Sequence, residues 1–330
     1  MMIMRGKVLL VVSAILAAVV VLSAVYFSGV LPSTSGGRVI VDQLGREVRV
    51  PEDPRRIAVL DPLAAEILVA LNATDRIVVR VDKATFPPQL QDIPAIRFFL
   101  GTAWNYEAVL NYSPDVVVSF AFSPDDDRIT GFIQAGVPVV CISWTMSFED
   151  VYEKIRLLGN LVNAQDRADE IIGYIRDILS TVEEGTANLS KLRAIFVRDV
   201  VEDGFMVYGK GMEEVMLELA GATNIAHSNK TKYNVGLETI IEWNPEVIVL
   251  SHRVKDGPAV ILNSTNPAWE SVDAFRNRMV FQLPRQYRST SLEACLGVLL
   301  MAHWFHPDAN LPRLEDVESD FYQFMYGITI

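Results

Sequence analysis

One fourteen-residue phrase occurs twice in this chain of 330 residues. Asn105 to Val118 reads NYEAVLNYSPDVVV and Gly236 to Val249 reads GLETIIEWNPEVIV, aligned without a gap at an offset of 131. Glu107 falls over Glu238, Pro114 over Pro245 and Asp115 over Glu246. Each copy parses the same way. A short amphipathic helix opens at the glutamate and stops before the proline, which lacks a backbone N–H and disfavours helix in the residue before it. An acid follows, then a run of β-branched residues without polar alternation, the pattern of a strand buried on both faces. A helix–turn–strand unit used twice predicts two similar α/β lobes, and two facing lobes make a cleft.

A second phrase extends the repeat. Glu66 to Ile77 (EILVALNATDRI) aligns with Glu214 to Ile225 (EVMLELAGATNI) at an offset of 148, and the two phrases come in the same order in each half. That order favours one fold used twice over the general helix–strand grammar of α/β chains. The expected architecture is two Rossmann-like lobes with central, mostly parallel sheets, since the strands alternate with helices. The expected boundaries are a leader over 1–38, an N-terminal lobe over 39–162, a connecting helix over 163–187 and a C-terminal lobe over 188–330.

Composition narrows the function. The length suits about two domains. A net charge of −12 argues against nucleic acid, whose phosphates need a basic surface. Cys141 and Cys295 are the only cysteines and both lie in apolar stretches. They read as buried free thiols, and with no C-x-x-C, thiolate zinc and iron–sulfur centres are not expected.

At the N-terminus Arg5 and Lys7 precede an apolar run from Val8 to Val30, broken only by Ser13, Ser23, Ser28 and Gly29. The run is long enough to span a bilayer and longer than a usual secretory apolar core. The basic flank predicts a cytoplasmic start, with residue 31 onward outside the cell. Leu31 to Gly37 (LPSTSGG) reads as a flexible linker. No cysteine follows the run, so a lipid anchor is not expected. An uncleaved anchor over 8–30 is favoured over a cleaved signal. Sequons at Asn72, Asn111, Asn188, Asn229 and Asn263 fit an exterior location.

Along the rest, Val39 to Val50 reads as a hairpin around Leu44–Gly45. Strands are expected at Arg56–Leu60, Ile77–Val81, Val116–Phe120 and Val137–Ile142. In the second half they are expected at Arg193–Val197, Phe205–Tyr208, Val247–Leu250 and Met279–Leu283. A helix is expected from about Ala64 to Leu71. Ser147 and Asp150 have capping-box spacing for a helix to about Val162. A second helix from Ala164 to Glu184 carries Ile171, Ile172, Ile175, Ile178 and Leu179 at helical spacing. Gly185 is expected to end it. This rod, roughly 30 Å long at 1.5 Å per residue, is the only evident connection between the lobes and would limit their closure. The last long helix is placed at Leu292–Trp304, with Ser289–Thr290–Ser291 as its cap.

These residues carry a resemblance. The chain resembles the helix-linked class of ABC-transporter solute-binding proteins, whose members bind ferric siderophores, haem and vitamin B12. The similarity rests on DQLGREVRVP…PRRIAVL (Asp42 to Leu60), DP…AEIL.AL (Asp61 to Leu71), the Pro87–Pro88 pair and NYE.VL…PDVVV. It covers roughly residues 39–330. The resemblance implies a non-enzymatic, extracytoplasmic capture protein that delivers its guest to a permease dimer with a cytoplasmic ATPase. It also implies that Glu107 and Glu238, one on each lobe, dock to the permease; helix capping alone is the plainer role for both, since a carboxylate suits a helix start.

In an open α/β sheet, ligands bind beyond the carboxyl ends of the strands. Those ends here are Asp61, Lys83, Phe120 to Phe122 and Trp144 in the first lobe. In the second they are Arg198, Tyr208, His252, Arg253, Arg285, Tyr287 and Arg288, with Lys232 nearby. An acidic chain has thus gathered six basic residues and several aromatics on one expected surface. Guanidinium groups pair with carboxylate or catecholate oxygens, and aromatic faces cover flat organic bulk. A ferric siderophore is the expected guest, then haem or cobalamin. Lys83 and Lys232 stand where the family's vitamin-binding member has aromatics, which weakens the cobalamin reading. No cofactor and no protein-held metal is expected. Ligation of metal by His252 stays open. His303 and His306 read as helix-end structure, and Asp125–Asp126–Asp127 as a turn capping the next helix.

Two rival classes remain, an enzyme related to metal chelatases and a tethered ligand sensor. The sequence contains no G-x-S-x-G, P-loop, G-x-G-x-x-G or H-E-x-x-H. A sensor would not need a matched acid on each lobe.

Overall fold

Runs of valine and isoleucine without polar alternation become the central strands of two sheets. The computed structural model describes residues 37–97, 104–202 and 204–329. The apolar run 8–30 lies outside the described residues, and among the described residues no helix is long and apolar enough to cross a membrane.

The chain starts with β1 (Gly37–Val41) and β2 (Glu47–Pro51), which pair as the expected hairpin. Gly45 makes its turn with φ +75°, a value that favours glycine. Asp42 and Arg46 fasten this hairpin to the first lobe. Arg46 donates to the Val139 carbonyl at 2.7 Å, and the Cys141 N–H donates to Asp42 Oδ2 at 3.0 Å.

The first lobe contains β3 (Ile57–Leu60), α1 (Pro62–Ala70), β4 (Ile77–Val81), β5 (Ala95–Ile96), α2 (Tyr106–Leu110), β6 (Val116–Phe120), α3 (Asp127–Gln134) and β7 (Val139–Ile142). Its five strands run in the order β5-β4-β3-β6-β7, all pairs parallel. Two helices follow. In α4 (Phe148–Val162) the capping box forms as read, with Ser147 and Asp150 bonded reciprocally. Next, α5 (Gln165–Thr186) buries Ile171, Ile172, Ile175, Ile178 and Leu179. Gly185 does not end α5. It lies inside the last turn, where an added Cβ would sit 2.5 Å from Leu311 Cδ2, so its smallness serves packing.

The second lobe contains β8 (Leu192–Val201), β9 (Gly204–Tyr208), α6 (Met212–Leu219), β10 (Ala222–Asn224), β11 (Lys232–Val235), α7 (Leu237–Trp243), β12 (Val247–Leu250), α8 (Ala259–Leu262), α9 (Asp273–Arg276), β13 (Val280–Gln282), α10 (Ala294–Phe305) and α11 (Leu314–Tyr326). Its sheet runs β11-β9-β8-β12-β13, with β10 also on β8. The strands β10, β8, β12 and β13 are parallel, as expected. Strand β9 is antiparallel to β8, and β11 to β9. Because β8 continues past Val197, where its pairing with β12 ends, a hairpin extends beyond the strand ends on this lobe and, among the described residues, not on the other.

The repeated phrase proves to be a clamp. Ile57 pairs with Val116 and Ala194 with Val247, equivalent registers in the two sheets. Asp115 Oδ2 accepts from the backbone N–H groups of Arg55 and Arg56, both at 2.9 Å. Glu246 Oε2 accepts from the Arg193 N–H at 2.9 Å. The side chain of Arg56 reaches the carbonyls of Tyr112 and Ser113, and that of Arg193 the carbonyl of Trp243. In both lobes, therefore, an acid holds the start of the neighbouring strand and an arginine there caps the carbonyl end of the repeat's helix.

The final helix was not anticipated. Leu292–Trp304 is not the last long helix; α11 follows and returns to the first lobe. Phe86 packs edge-on against Tyr322 and Tyr326, and Gln89 donates to the Tyr326 carbonyl at 2.7 Å. Tyr174 of α5 stacks on Phe324, and Arg167 lies 4.2 Å over the same ring. The rod α5 is therefore not the only tie between the lobes: α11, from the region read as C-terminal lobe, packs on the N-terminal one.

Candidate functional site

The carboxyl ends of the parallel strands face the junction of the lobes. On the first lobe, β6 ends at Phe120 and β7 leads to Trp144. Phe122 is 66% and Trp144 57% exposed, large values for such side chains. The Phe120 ring meets Phe122 at 4.7 Å and Trp144 at 5.7 Å, both edge-to-face. The Arg128 guanidinium lies 4.8 Å over Phe122 and is held by Asp126 at 3.0 Å. Asp126 itself caps α3, so the acidic triplet is the expected turn. Lys83, just past β4, is exposed.

The second wall is cationic. Arg198 stands on the extended part of β8, its Nη1 3.3 Å from Met206 Sδ. Lys232 is exposed and in register with Tyr208. His252 and Arg253 follow β12, and Arg285 opens the turn after β13. Burial, then the guanidinium groups of Arg253, Arg285 and Arg288, hold the His252 imidazole below its ordinary pKa. Half-buried Glu213 binds Tyr208 and accepts from the Ser289 hydroxyl at 2.6 Å. Burial raises its pKa against the opposing pull of Ser289, Tyr208 and Arg198.

Two contacts close the junction. Met146, after β7, comes within 3.4 Å of where a Cβ on Gly211 would stand. Gly211 has φ +136°, a value that favours glycine. At the floor, Arg288 pairs with Glu66 of α1 at 2.8 Å, and the Leu292 N–H donates to the other Glu66 oxygen at 3.3 Å. Glu293 is buried beside this pair and accepts from the Tyr326 hydroxyl at 3.0 Å. Asp61 caps α1 at 2.9 Å to the Ala64 N–H, with the Lys154 ammonium and Arg288 as its nearest cationic influences. Lys154 Nζ is buried without a hydrogen-bond partner.

Several expected positions change. Tyr287 is not on the cleft surface: it is 4% exposed, and its hydroxyl bonds Glu318. Arg288 is not a free strand-end arginine but the interlobe partner of Glu66. Ser289 and Ser291 do not cap α10; Glu293 occupies that position without a side-chain bond, and Ser291 donates to the carbonyls of Gln286 and Arg288. His303 and His306 donate to the carbonyls of Pro312 and Gly221, so both are helix-end structure. Sequence reasoning missed Glu66, Lys154, Glu213 and Glu293. The signal was there for Glu66 and Glu293, each a lone charge in an apolar helical run.

Glu107 and Glu238 are both exposed in the first turns of α2 and α7. Asn105 caps α2 through Ala108 N–H at 3.1 Å. Gly236 cannot cap α7, and the Glu238 carboxylate lies back over it.

Known proteins share this fold. The molybdate-binding protein MolA of Haemophilus influenzae is 28% identical over 330 residues, covering 89% of this chain and 92% of the relative. An uncharacterized ABC transporter substrate-binding lipoprotein, YvrC of Bacillus subtilis, is 25% identical over 82% of this chain and 85% of its own. Among solved structures, a periplasmic solute binding protein from Veillonella parvula superposes with a TM-score of 0.75 at 23% identity, covering 89% of this chain and 94% of that one. Helicobacter pylori CeuE with Ni(II) bound gives 0.74 at 20%, covering 89% and 97%. These relatives are binding proteins of transporters, not enzymes. The periplasmic binding protein profile matches residues 57–287, and with two sheet lobes joined through α5 the chain belongs to that family, as an extracytoplasmic, helix-linked substrate-binding protein of ABC importers, which deliver their ligands to a permease and its ATPase.

Proposed function

We propose that this protein captures an anionic chelate with flat apolar bulk, a ferric siderophore before haem or cobalamin, between its aromatic and cationic walls. The single observation that carries this reading is that exposed Phe122 and Trp144 follow the strands of one lobe while Arg198, Arg253 and Arg285 stand on or just past the strands of the other, in a chain of net charge −12. The arginines meet the ligand oxygens and the rings cover its organic face. Glu213 holds Tyr208 and Ser289 in place beside them. A second reading, a bare oxyanion, is supported by the molybdate-binding relative and by the arginines alone.

The test is quenching of tryptophan fluorescence by ferric tris-catecholate, haemin, cyanocobalamin and molybdate. The chelate is expected to bind, more weakly as salt rises. Arg198→Ala and Arg285→Ala should each cost about tenfold, near 1.4 kcal/mol. Trp144→Ala should weaken the chelate and leave molybdate unaffected. Unchanged affinity in both arginine variants would remove the cationic wall from the site.

Delivery completes the proposal. Glu107 and Glu238 dock the loaded protein to the permease, and residues 8–30 tether it to the outer face of the membrane. Reversing both charges should abolish uptake and leave chelate affinity intact.

A further inference from the structure

Glu66 and Glu293 are two carboxyl groups, each 1% exposed, that share one nearby guanidinium at the lobe junction. Glu66 comes from α1 of the first lobe and Glu293 from the start of α10. Their other polar neighbours include the Leu292 N–H, the Glu293 backbone N–H and the hydroxyls of Tyr326 and Ser291, all donors, so none adds a charge. With both acids ionised, the site would hold two negative charges against Arg288 alone, and a buried excess charge is costly. Burial first, then the charge of Glu293, push Glu66 up to about 8, and burial raises Glu293 as well. The remaining groups that face them are Tyr322 from α11, Cys295 two residues beyond Glu293, and Tyr287, whose hydroxyl bonds Glu318. Burial holds the hydroxyls of Tyr322 and Tyr287 and the Cys295 thiol above their ordinary pKa, so none of the three adds a charge at pH 7.

Arg288 has a second face. It acts on Asp61 and on His252, the cleft-side groups, as well as on the acid pair. One cation thus serves both the buried carboxyls and the cationic wall. We propose that capture of an anionic guest is linked to proton uptake by the Glu66–Glu293 pair, because guest and pair compete for the charge of Arg288. This rests on the anionic reading of the cleft given above. When the guest draws on Arg288, the pair loses its counter-charge and holds its proton more tightly. Affinity is then highest below the free pair's titration and falls as pH rises through it, by up to about tenfold per pH unit for one proton. His252 titrates below its ordinary range and stays outside this window.

Two measurements on the folded protein test this. First, infrared spectra of the ligand-free protein in D2O should show a protonated-carboxyl band that fades as pH rises through about 8 and is reduced in Glu66→Gln. A band that Glu66→Gln leaves unchanged overturns the proposal. Second, calorimetric titration with molybdate and with ferric tris-catecholate at pH above neutral, in buffers of different ionisation enthalpy, should show net proton uptake by the wild type and less in Glu66→Gln. Where Glu66→Gln does not fold, Glu293→Gln carries both tests. If neither probe binds, the anionic reading of the cleft falls and the linkage with it. If they bind and the variant takes up as many protons as the wild type, the linkage alone falls.

Discussion

The two lobes use one clamp and then part company. Asp115 and Glu246 grip the neighbouring strands in equivalent registers, and Arg56 and Arg193 cap equivalent helices. At the strand ends the likeness stops: the first lobe shows aromatic rings, and the second shows arginines beside an added antiparallel hairpin. Glu66 and Glu214 make the same point in one pair of residues. They align in the second repeated phrase, yet Glu66 is buried against Arg288 of the other lobe. Glu214 stays local, bonded to Asn224 and to an exposed His227 at 2.6 Å. A repeated segment keeps what its own fold unit needs and diverges where it meets something else.

The largest effect should separate Glu66 from Glu214. Glu66→Ala is expected to cost about 3 kcal/mol, since it leaves the Arg288 guanidinium and the Leu292 N–H without their partner, against about 1 kcal/mol for Glu214→Ala. Urea unfolding checks this, and equal costs would break the asymmetry. The same pair differs in pH response. The folded pKa of Glu66 lies above its unfolded value, so the folded state binds the extra proton between them. Stability should fall as pH rises from about 4.5 to about 8. Glu66→Gln should flatten that decline; a slope unchanged in the variant would assign it elsewhere.

The clamp comes next. Asp115 accepts from two backbone N–H groups and Glu246 from one. Asp115→Ala should therefore cost about 2 kcal/mol and Glu246→Ala about 1 kcal/mol. The reverse order would show that the clamps differ in more than their bond number. The smallest effect concerns the helices carrying Glu107 and Glu238. Asn105→Ala removes a side-chain cap and should cost about 1 kcal/mol. Gly236→Ala removes no side-chain bond but replaces a favoured N-cap residue by a poor one and should cost less, about 0.5 kcal/mol, measured by thermal unfolding.

Much of this was legible because its causes are local. The spacing of Ser147 and Asp150 forms its capping box within one turn, and the apolar runs at 57–60, 116–118 and 247–250 become buried central strands. The places of Phe120, Trp144, His252 and Arg285 at or just past strand ends follow from the runs that mark those strands, whereas Arg198 lies within the longer β8. Tyr287, Ser289, Ser291 and Gly185 were misplaced because their partners lie elsewhere: Glu318, Glu213, a carbonyl of a preceding turn and Leu311.

The amino-acid sequence by itself determined two α/β halves, their repeated clamp and the helix between them. Propensity, capping and apolar periodicity act within a few residues, and a repeated phrase repeats them. Only the tertiary structure decided that α11 returns to the first lobe, that the second sheet gains antiparallel strands, and that Arg288 belongs to Glu66, 222 residues away. A buried charge takes whichever counter-charge the packed chain brings within reach, and separation along the sequence carries no information about that distance.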